Sequence, residues 1–484
     1  MNTASPDAQW KTAIPRPIAD FAPQYLELYW RAWQIAHDRI RHHPDLPQPF
    51  FMDEAFQSTT IWIWDTCFIA LYCKYAPAAL PGIESLNNFY APMHDPDCPP
   101  SPMNIQHPDN PPLFAWAEEG YFKLTNDIEH IRELLVEKQY LQKHFQWFDT
   151  VQPGWRHKSA KHYSVHVALK KVEDGYFWNG IQSGMDNTPR QDTACLWVDA
   201  IAQQGLSALC ISRLAEAVGL DEMAGRWRRT YDTIKAKVND LYWDDADGIY
   251  YDIDSETREF SRVKTPAAYW PMLAEMCSPA QAARLLEHAL DGETFGTNRP
   301  WASVARSHPD FTTPDGNYWR GGIWLPLSYM ATKALEIYGY LAEADQAAQN
   351  LLDMMWRVYE QCEPHSIWEC YSPTRDTPAD VNGKRVRGEF CGWSALGPIS
   401  MFIENILGFH VIDAPARRVE WRLYRPGRHG IENLHFGDVT ADIVADGKGE
   451  IAVTSNAPFT LVVNGAGIDI QPGQSRHAVA AEGA

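Results

Sequence analysis

The sequence predicts an all-α ring of paired helices followed by a small antiparallel β-domain, and three observations carry that expectation. Apolar residues recur at helical spacing from Tyr25 almost to Leu407, in segments separated by loops rich in Pro, Gly, Asp and Asn. About a dozen such segments can be counted, the number that six helical hairpins need to close into a toroid. After Phe409 the pattern changes to short alternating runs bounded by Asp-Gly and Asn-Gly, the signature of antiparallel strands and tight hairpins. The expected division is a helical part over 1–412 and a C-terminal β-domain over 413–484.

Taken in order, the spacing predicts long helices over 25–40, 128–148, 193–218, 221–242, 322–338, 342–361 and 393–407. Shorter ones follow Trp64, Glu84, Pro112, Pro266 and Pro279. A hairpin is expected over 242–253, where Asp247-Gly248 supplies the turn. Several loop-to-helix junctions look alike: Trp64-Asp65, Trp197-Val198-Asp199, Tyr318-Trp319-Arg320 and Cys391-Gly392-Trp393 each set an aromatic beside a polar or small residue before an apolar helix. Such junctions imply that several helix starts face one cleft. Beyond Phe409, strands are expected over 440–444, 450–454 and 459–463.

Composition narrows the class. With 45% hydrophobic and 21% charged residues the chain is that of an ordinary globular protein. A formal net charge of −20 argues against a nucleic-acid or anionic-membrane partner, since both reward clustered Lys and Arg. Twenty Trp and twenty-one Tyr supply rings that pack either in a core or against the C–H faces of sugars. Nine Cys without C-x-x-C or Cys/His clusters read as reduced core thiols, so neither metal nor cofactor is expected. The polar stretch 1–20 has no apolar run, and the expected location is the cytoplasm. A homo-oligomer is left open.

Cleaving a glycosidic bond needs two carboxyl groups, one to protonate the leaving oxygen and one to activate water or attack. Asp186 lies in Gly184-Met185-Asp186-Asn187-Thr188-Pro189-Arg190, a loop stiffened by Pro189 ahead of a long helix. It would serve equally as a helix cap, for which Asp192 is better placed. Glu369, in Trp368-Glu369-Cys370-Tyr371-Ser372-Pro373, is flanked by rings that would desolvate it. Glu389, ahead of the helix at Trp393, is its rival. Asp65 and Arg320, each beside aromatic rings, could hold sugar hydroxyls.

The blocks Trp64-Asp65-Thr66-Cys67-Phe68, Gly184 to Arg190, Tyr318-Trp319-Arg320-Gly321-Gly322-Ile323-Trp324, Trp368 to Pro373 and Gly392-Trp393-Ser394-Ala395 resemble, in order and spacing, those of glycoside hydrolase family 63 and its mannosylglycerate- and glucosylglycerate-hydrolase-like relatives. The resemblance implies an (α/α)6 barrel and inverting hydrolysis of an α-linked glucoside or mannoside. It makes Asp186 the general acid and Glu369 the general base. It sets Trp64, Asp65, Tyr318, Trp319, Arg320 and Trp324 around the sugar, with Arg190, Tyr371 and Trp393 completing the substrate-binding set. Two departures stand out: the stretch between Glu369 and Trp393 is longer than the family pattern, which keeps Glu389 as an alternative base, and the Pro-rich segment 95–106 between His94 and His107, with Cys98, has no counterpart. The alternatives are a trehalase-like hydrolase, a sugar epimerase or polysaccharide lyase on the same helical toroid, or an inactive glycan-binding protein.

Overall fold

A computed structural model describes residues 10–54, 57–155, 167–190, 194–390 and 392–479. Asp192, Thr193, Cys391 and the first nine residues, all of which entered the expectations above, lie outside the described residues.

The helices form an inner and an outer layer. Val198–Ala217 is buried around most of its circumference, whereas its partner Asp221–Leu241 buries Ala224, Tyr231 and Val238, one stripe at seven-residue spacing. Gly219, at φ +75°, turns the chain between them. Ile63–Cys73 is buried along its whole length, and Leu325–Ile337 over most of its own. Pro23–Asp38, Tyr140–Thr150, Pro279–Leu290 and Leu341–Gln361 bury one face each. Pro279–Leu290 begins as its sequence dictates: Ser278 and Gln281 form a reciprocal capping box and Pro279 takes the first helical position. Rings such as Trp33, Trp197 and Trp270 are fully buried among these layers. No helix among the described residues is long and apolar enough to cross a membrane.

The expectation of an all-α chain with a small β-domain does not hold. The protein is 41% helical and 18% strand, in several sheets. Two physical causes account for the difference. Strands of two or three residues, such as Gly175–Phe177, Cys195–Leu196 and Ile253–Asp254 in one four-stranded sheet, knit the loops over the helix ends; they are too short to display a period of two. The β-unit is also larger than predicted, a five-stranded and a four-stranded sheet. Its outermost strand, Arg16–Ala19, comes from the start of the chain and pairs antiparallel with His429–Phe436, Arg16 opposite Glu432. Pro17 is tolerated there because an edge strand has a side with no ladder to complete.

Within the helical part, several expected helices start late or break. The 193–218 segment becomes helical only at Val198, after the Cys195–Leu196 strand. The 128–148 segment breaks at Gln139, whose φ is +54°, into Ile128–Arg132, a π-turn at Glu133–Glu137 and Tyr140–Thr150. The 393–407 segment is a 3₁₀ turn, Trp393–Leu396, leading into a π-helix, Gly397–Ile406. The 242–253 hairpin forms as expected, Asp244 opposite Ile249, with Gly248 at φ +70°. So do the strands Val439–Ala445, Glu450–Ser455 and Phe459–Val463.

Candidate active site

Three helix starts converge on a recess of about 100 Å³: Trp64 and Asp65 from Ile63–Cys73, Trp324 just before Leu325–Ile337, and Trp393 from the turn that leads into Gly397–Ile406. Asp186, Tyr318, Trp319 and Glu369 line it as well, so eight of the sequence-predicted residues meet in one place. The recess is well below the roughly 300–1,000 Å³ typical of sites for larger ligands. A larger cavity of about 350 Å³ opens near the other end of Ile63–Cys73, against Lys74, Lys333 and Glu404. Its charges are consumed in mutual pairs, Lys74 and Lys333 both on Glu404, and it holds none of the family blocks.

The loop carrying Asp186 is fixed from two directions. Gly184 adopts φ +82°, and a Cβ there would stand 3.0 Å from the Trp64 ring, so only glycine lets the loop lie against that indole. Asn187 clasps the Tyr318 loop: its Oδ1 accepts from the Trp319 amide at 2.8 Å and its Nδ2 donates to the Asn317 carbonyl at 3.0 Å. Tyr318 itself is held at φ +68°, an unfavourable conformation for an aromatic residue and a sign of a backbone fixed by its surroundings. Asp186 is solvent-exposed where it lines the recess, with dense protein around it. That enclosure first, and the nearby Glu369 charge second, raise its carboxyl to about 6.

Glu369 is almost fully buried and held on several sides. Its Oε1 accepts from the Tyr318 hydroxyl at 2.8 Å and from the Arg387 guanidinium at 2.6 Å, and its Oε2 lies 3.4 Å from the Arg387 amide. Trp393 Nε1 and Ser394 Oγ both donate to its main-chain carbonyl. Trp319 and Trp324 stack at 3.9 Å between centroids, with Trp393 tilted against Trp324, forming an aromatic wall beside the carboxyls. Trp64 Nε1 and Asp65 Oδ1 are buried and have no hydrogen-bond partner, a donor and an acceptor left to a ligand.

Four predicted residues are not among those that line the recess. Arg190 is buried in a double bidentate arrangement with Asp199 and Asp252, at 2.7 to 2.9 Å, with its guanidinium over the Trp197 ring. It holds the Asp186 loop to the start of Val198–Ala217. Arg190→Ala should therefore destabilise the protein by about 3–5 kcal/mol by stranding two buried carboxylates, seen as a lowered midpoint in chemical denaturation. Arg320 pairs with Asp310 at 3.1 Å on a partly exposed surface. Tyr371 is buried, bridged through its backbone to Ile323. Glu389 is half exposed and pairs with Arg31 and Arg39 at 3.1 and 3.4 Å.

The residues missed at the sequence level are Glu54, Trp62, His107, Asn110, Ile181 and Arg387. Arg387 had a readable signal. The extra chain between Glu369 and Trp393 is a hairpin, Asp380–Val381 against Lys384–Arg385, turned by Asn382 and Gly383 at φ +52° and +74°. It folds back so that the Glu369 amide donates to the Arg387 carbonyl at 2.9 Å. Arg387, the last residue of the basic run Lys384-Arg385-Val386-Arg387, thus serves Glu369, and Glu389 finds its cations elsewhere. Glu54 follows Asp53 without any distinguishing pattern.

A sequence model of the family described as the mannosylglycerate hydrolase MGH1-like glycoside hydrolase domain matches residues 96–394. A mannosyl-oligosaccharide glucosidase of Saccharomyces cerevisiae is 27% identical over 59% of this chain, and the chain spans only 37% of that relative's length. A cytosolic neutral trehalase of Emericella nidulans is 26% identical over 28% of the chain and 18% of its own length. Among solved structures, a mannosylglycerate hydrolase of glycoside hydrolase family 63 from Thermus thermophilus, in complex with glucose, superposes with a TM-score of 0.58 over 77% of this chain and 99% of its own, at 17% identity, a likeness of fold.

Proposed function

The chain belongs to the family of MGH1-like glycoside hydrolases, and on that premise we propose that it hydrolyses an α-linked glucoside or mannoside with inversion, using Asp186 as general acid and Glu369 as general base. The observation that supports this reading best is the meeting of the two carboxyls in one recess in contrasting settings. Asp186 is raised to about 6, so near neutrality it carries a proton for the leaving oxygen far more often than an ordinary aspartate does. Glu369, acceptor to Tyr318 and Arg387 through Oε1, keeps Oε2 for the proton of an attacking water. The sugar would lie against the Trp319, Trp324 and Trp393 wall, its hydroxyls on Asp65 and Trp64 Nε1.

On this reading Arg387 orients the base and spreads the negative charge that water activation removes from it. An epimerase or lyase would call on a His or Tyr base, whereas the support here is for two carboxyls with Tyr318 bound to one of them. A trehalase-like specificity shares the same acid–base logic, so trehalose belongs in the substrate panel beside α-linked disaccharides and the glucosyl- and mannosyl-glycerates. A cytoplasmic location is part of the proposal, in keeping with a relative named as a cytosolic trehalase.

The experiment is stereochemical. Proton NMR of the first product formed from an α-glycoside should show the β anomer before mutarotation. An α anomer would move the enzyme to double displacement and remove the base role from Glu369.

A further inference from the structure

Beside Glu369 the recess contains a second carboxyl pair that the two-acid mechanism does not use. Glu54 and Asp65 are both buried, at 8% and 3% exposure, and both line the recess. Glu54 Oε1 and Asp65 Oδ1 each lack a donor, yet the two side chains lie within hydrogen-bonding contact of one another. Two carboxylates cannot satisfy each other, since neither has a hydrogen to give. One proton on the contact satisfies both.

The charges around the pair favour that proton. Asp53 is already paired with Arg41 at 2.6 Å, and Glu369 adds a further negative charge. Arg387 is the cation that faces them, but its guanidinium lies 4.0 Å from Glu54 and 2.6 Å from Glu369. A single guanidinium does not balance three neighbouring carboxylates in an enclosed site. We infer that Glu54 and Asp65 hold one proton between them at neutral pH, carried on Glu54, and that Glu54 is thereby a positioning residue that keeps Asp65 aimed as an acceptor for a sugar hydroxyl. Burial pushes the Glu54 carboxyl well above the usual range and Asp65 to about 7, the hydrogen bond from Glu54 opposing the rise on Asp65.

The hydroxyl role rests on the sugar-site reading above, while the proton does not, so the test has two arms. In the first, the ligand-free protein at neutral pH is compared by infrared spectroscopy with Glu54→Gln. The wild type should show one more protonated-carboxyl band, and its thermal midpoint should fall more steeply than the variant's as pH rises. The sign follows from linkage: a carboxyl raised on folding gives stability that is complete below the ordinary carboxylate range and is lost as pH climbs through its folded value, which for Glu54 lies well above that range. Identical bands and identical slopes would overturn the shared proton.

In the second arm, D-glucose binding is followed by calorimetry across the same pH range. Loss of the proton sets two anions side by side, so the wild-type affinity should fall about tenfold, whereas Glu54→Gln, whose amide donor does not titrate, should hold its affinity. An equal fall in both proteins would overturn the positioning role. Absence of glucose binding at every pH in both, with the infrared band present, would instead sink the sugar-site reading and leave the shared proton standing.

Discussion

Asp186→Asn should lower kcat on an unactivated α-glycoside by about 10²–10⁴-fold or more, the span that a positioned general acid contributes, with the thermal midpoint close to wild type. The amide matches the carboxyl in shape and fits the same enclosure, but it has no proton to transfer. The loop does not depend on the lost group: Gly184 against Trp64 and the Asn187 clasp on the Tyr318 loop hold it from either side. An α-glycosyl fluoride, whose leaving group needs little protonation, should be spared most of the loss. In the wild type, kcat/KM should decline as pH rises through about 6, where desolvation by the surrounding protein and the Glu369 charge set the titration of this carboxyl, and the residual activity of the variant should lack that decline. Activity within a few-fold of wild type on a natural glycoside would end the acid assignment.

Glu369→Gln should be comparably damaging, and Glu389→Gln should be nearly silent. Glu369 is buried and gathers Tyr318 and Arg387 onto one oxygen. Glu389 stands half exposed between Arg31 and Arg39, and surface pairs of that kind are worth roughly 0–1 kcal/mol. Steady-state kinetics of the two single variants separates them: an inactive Glu389→Gln beside a Glu369→Gln with near-wild-type turnover reverses the assignment. Azide offered to Glu369→Ala with an activated α-glycoside should yield a β-glycosyl azide, the small anion standing where water is no longer activated.

The helix layers and the clustering of helix starts were legible because both are written in local patterns: a seven-residue stripe such as Ala224, Tyr231, Val238, and repeated aromatic junctions such as Trp64-Asp65. The strands that overturned the all-α expectation were not, since a two-residue ladder such as Cys195–Leu196 with Ile253–Asp254 depends on partners nearly sixty residues away in sequence. The same distinction runs through the site. Residues inside specific blocks, Asp186 and Glu369 among them, were found. Glu54, which reaches the recess through packing alone, was not. Arg320 and Arg190 carried the right chemistry in the right blocks, but local pattern does not say which way a side chain turns, and both turn to neighbouring acids.

The strand Arg16–Ala19 has a consequence for how this chain is made. Its partner, His429–Phe436, lies 416 residues further on from Arg16 to Glu432. At ribosomal rates of about 5–20 residues per second, the first strand waits roughly 20 to 80 seconds for its neighbour to be synthesised. The helical layers have emerged by then, and closing so long a loop from an unfolded chain would carry a large entropic penalty. Collapsed helices shorten the span to be searched. The strand thus waits until the helical part has been made before its ladder can form, and nascent chains halted before His429 would display an unpaired strand to whatever meets them on the ribosome.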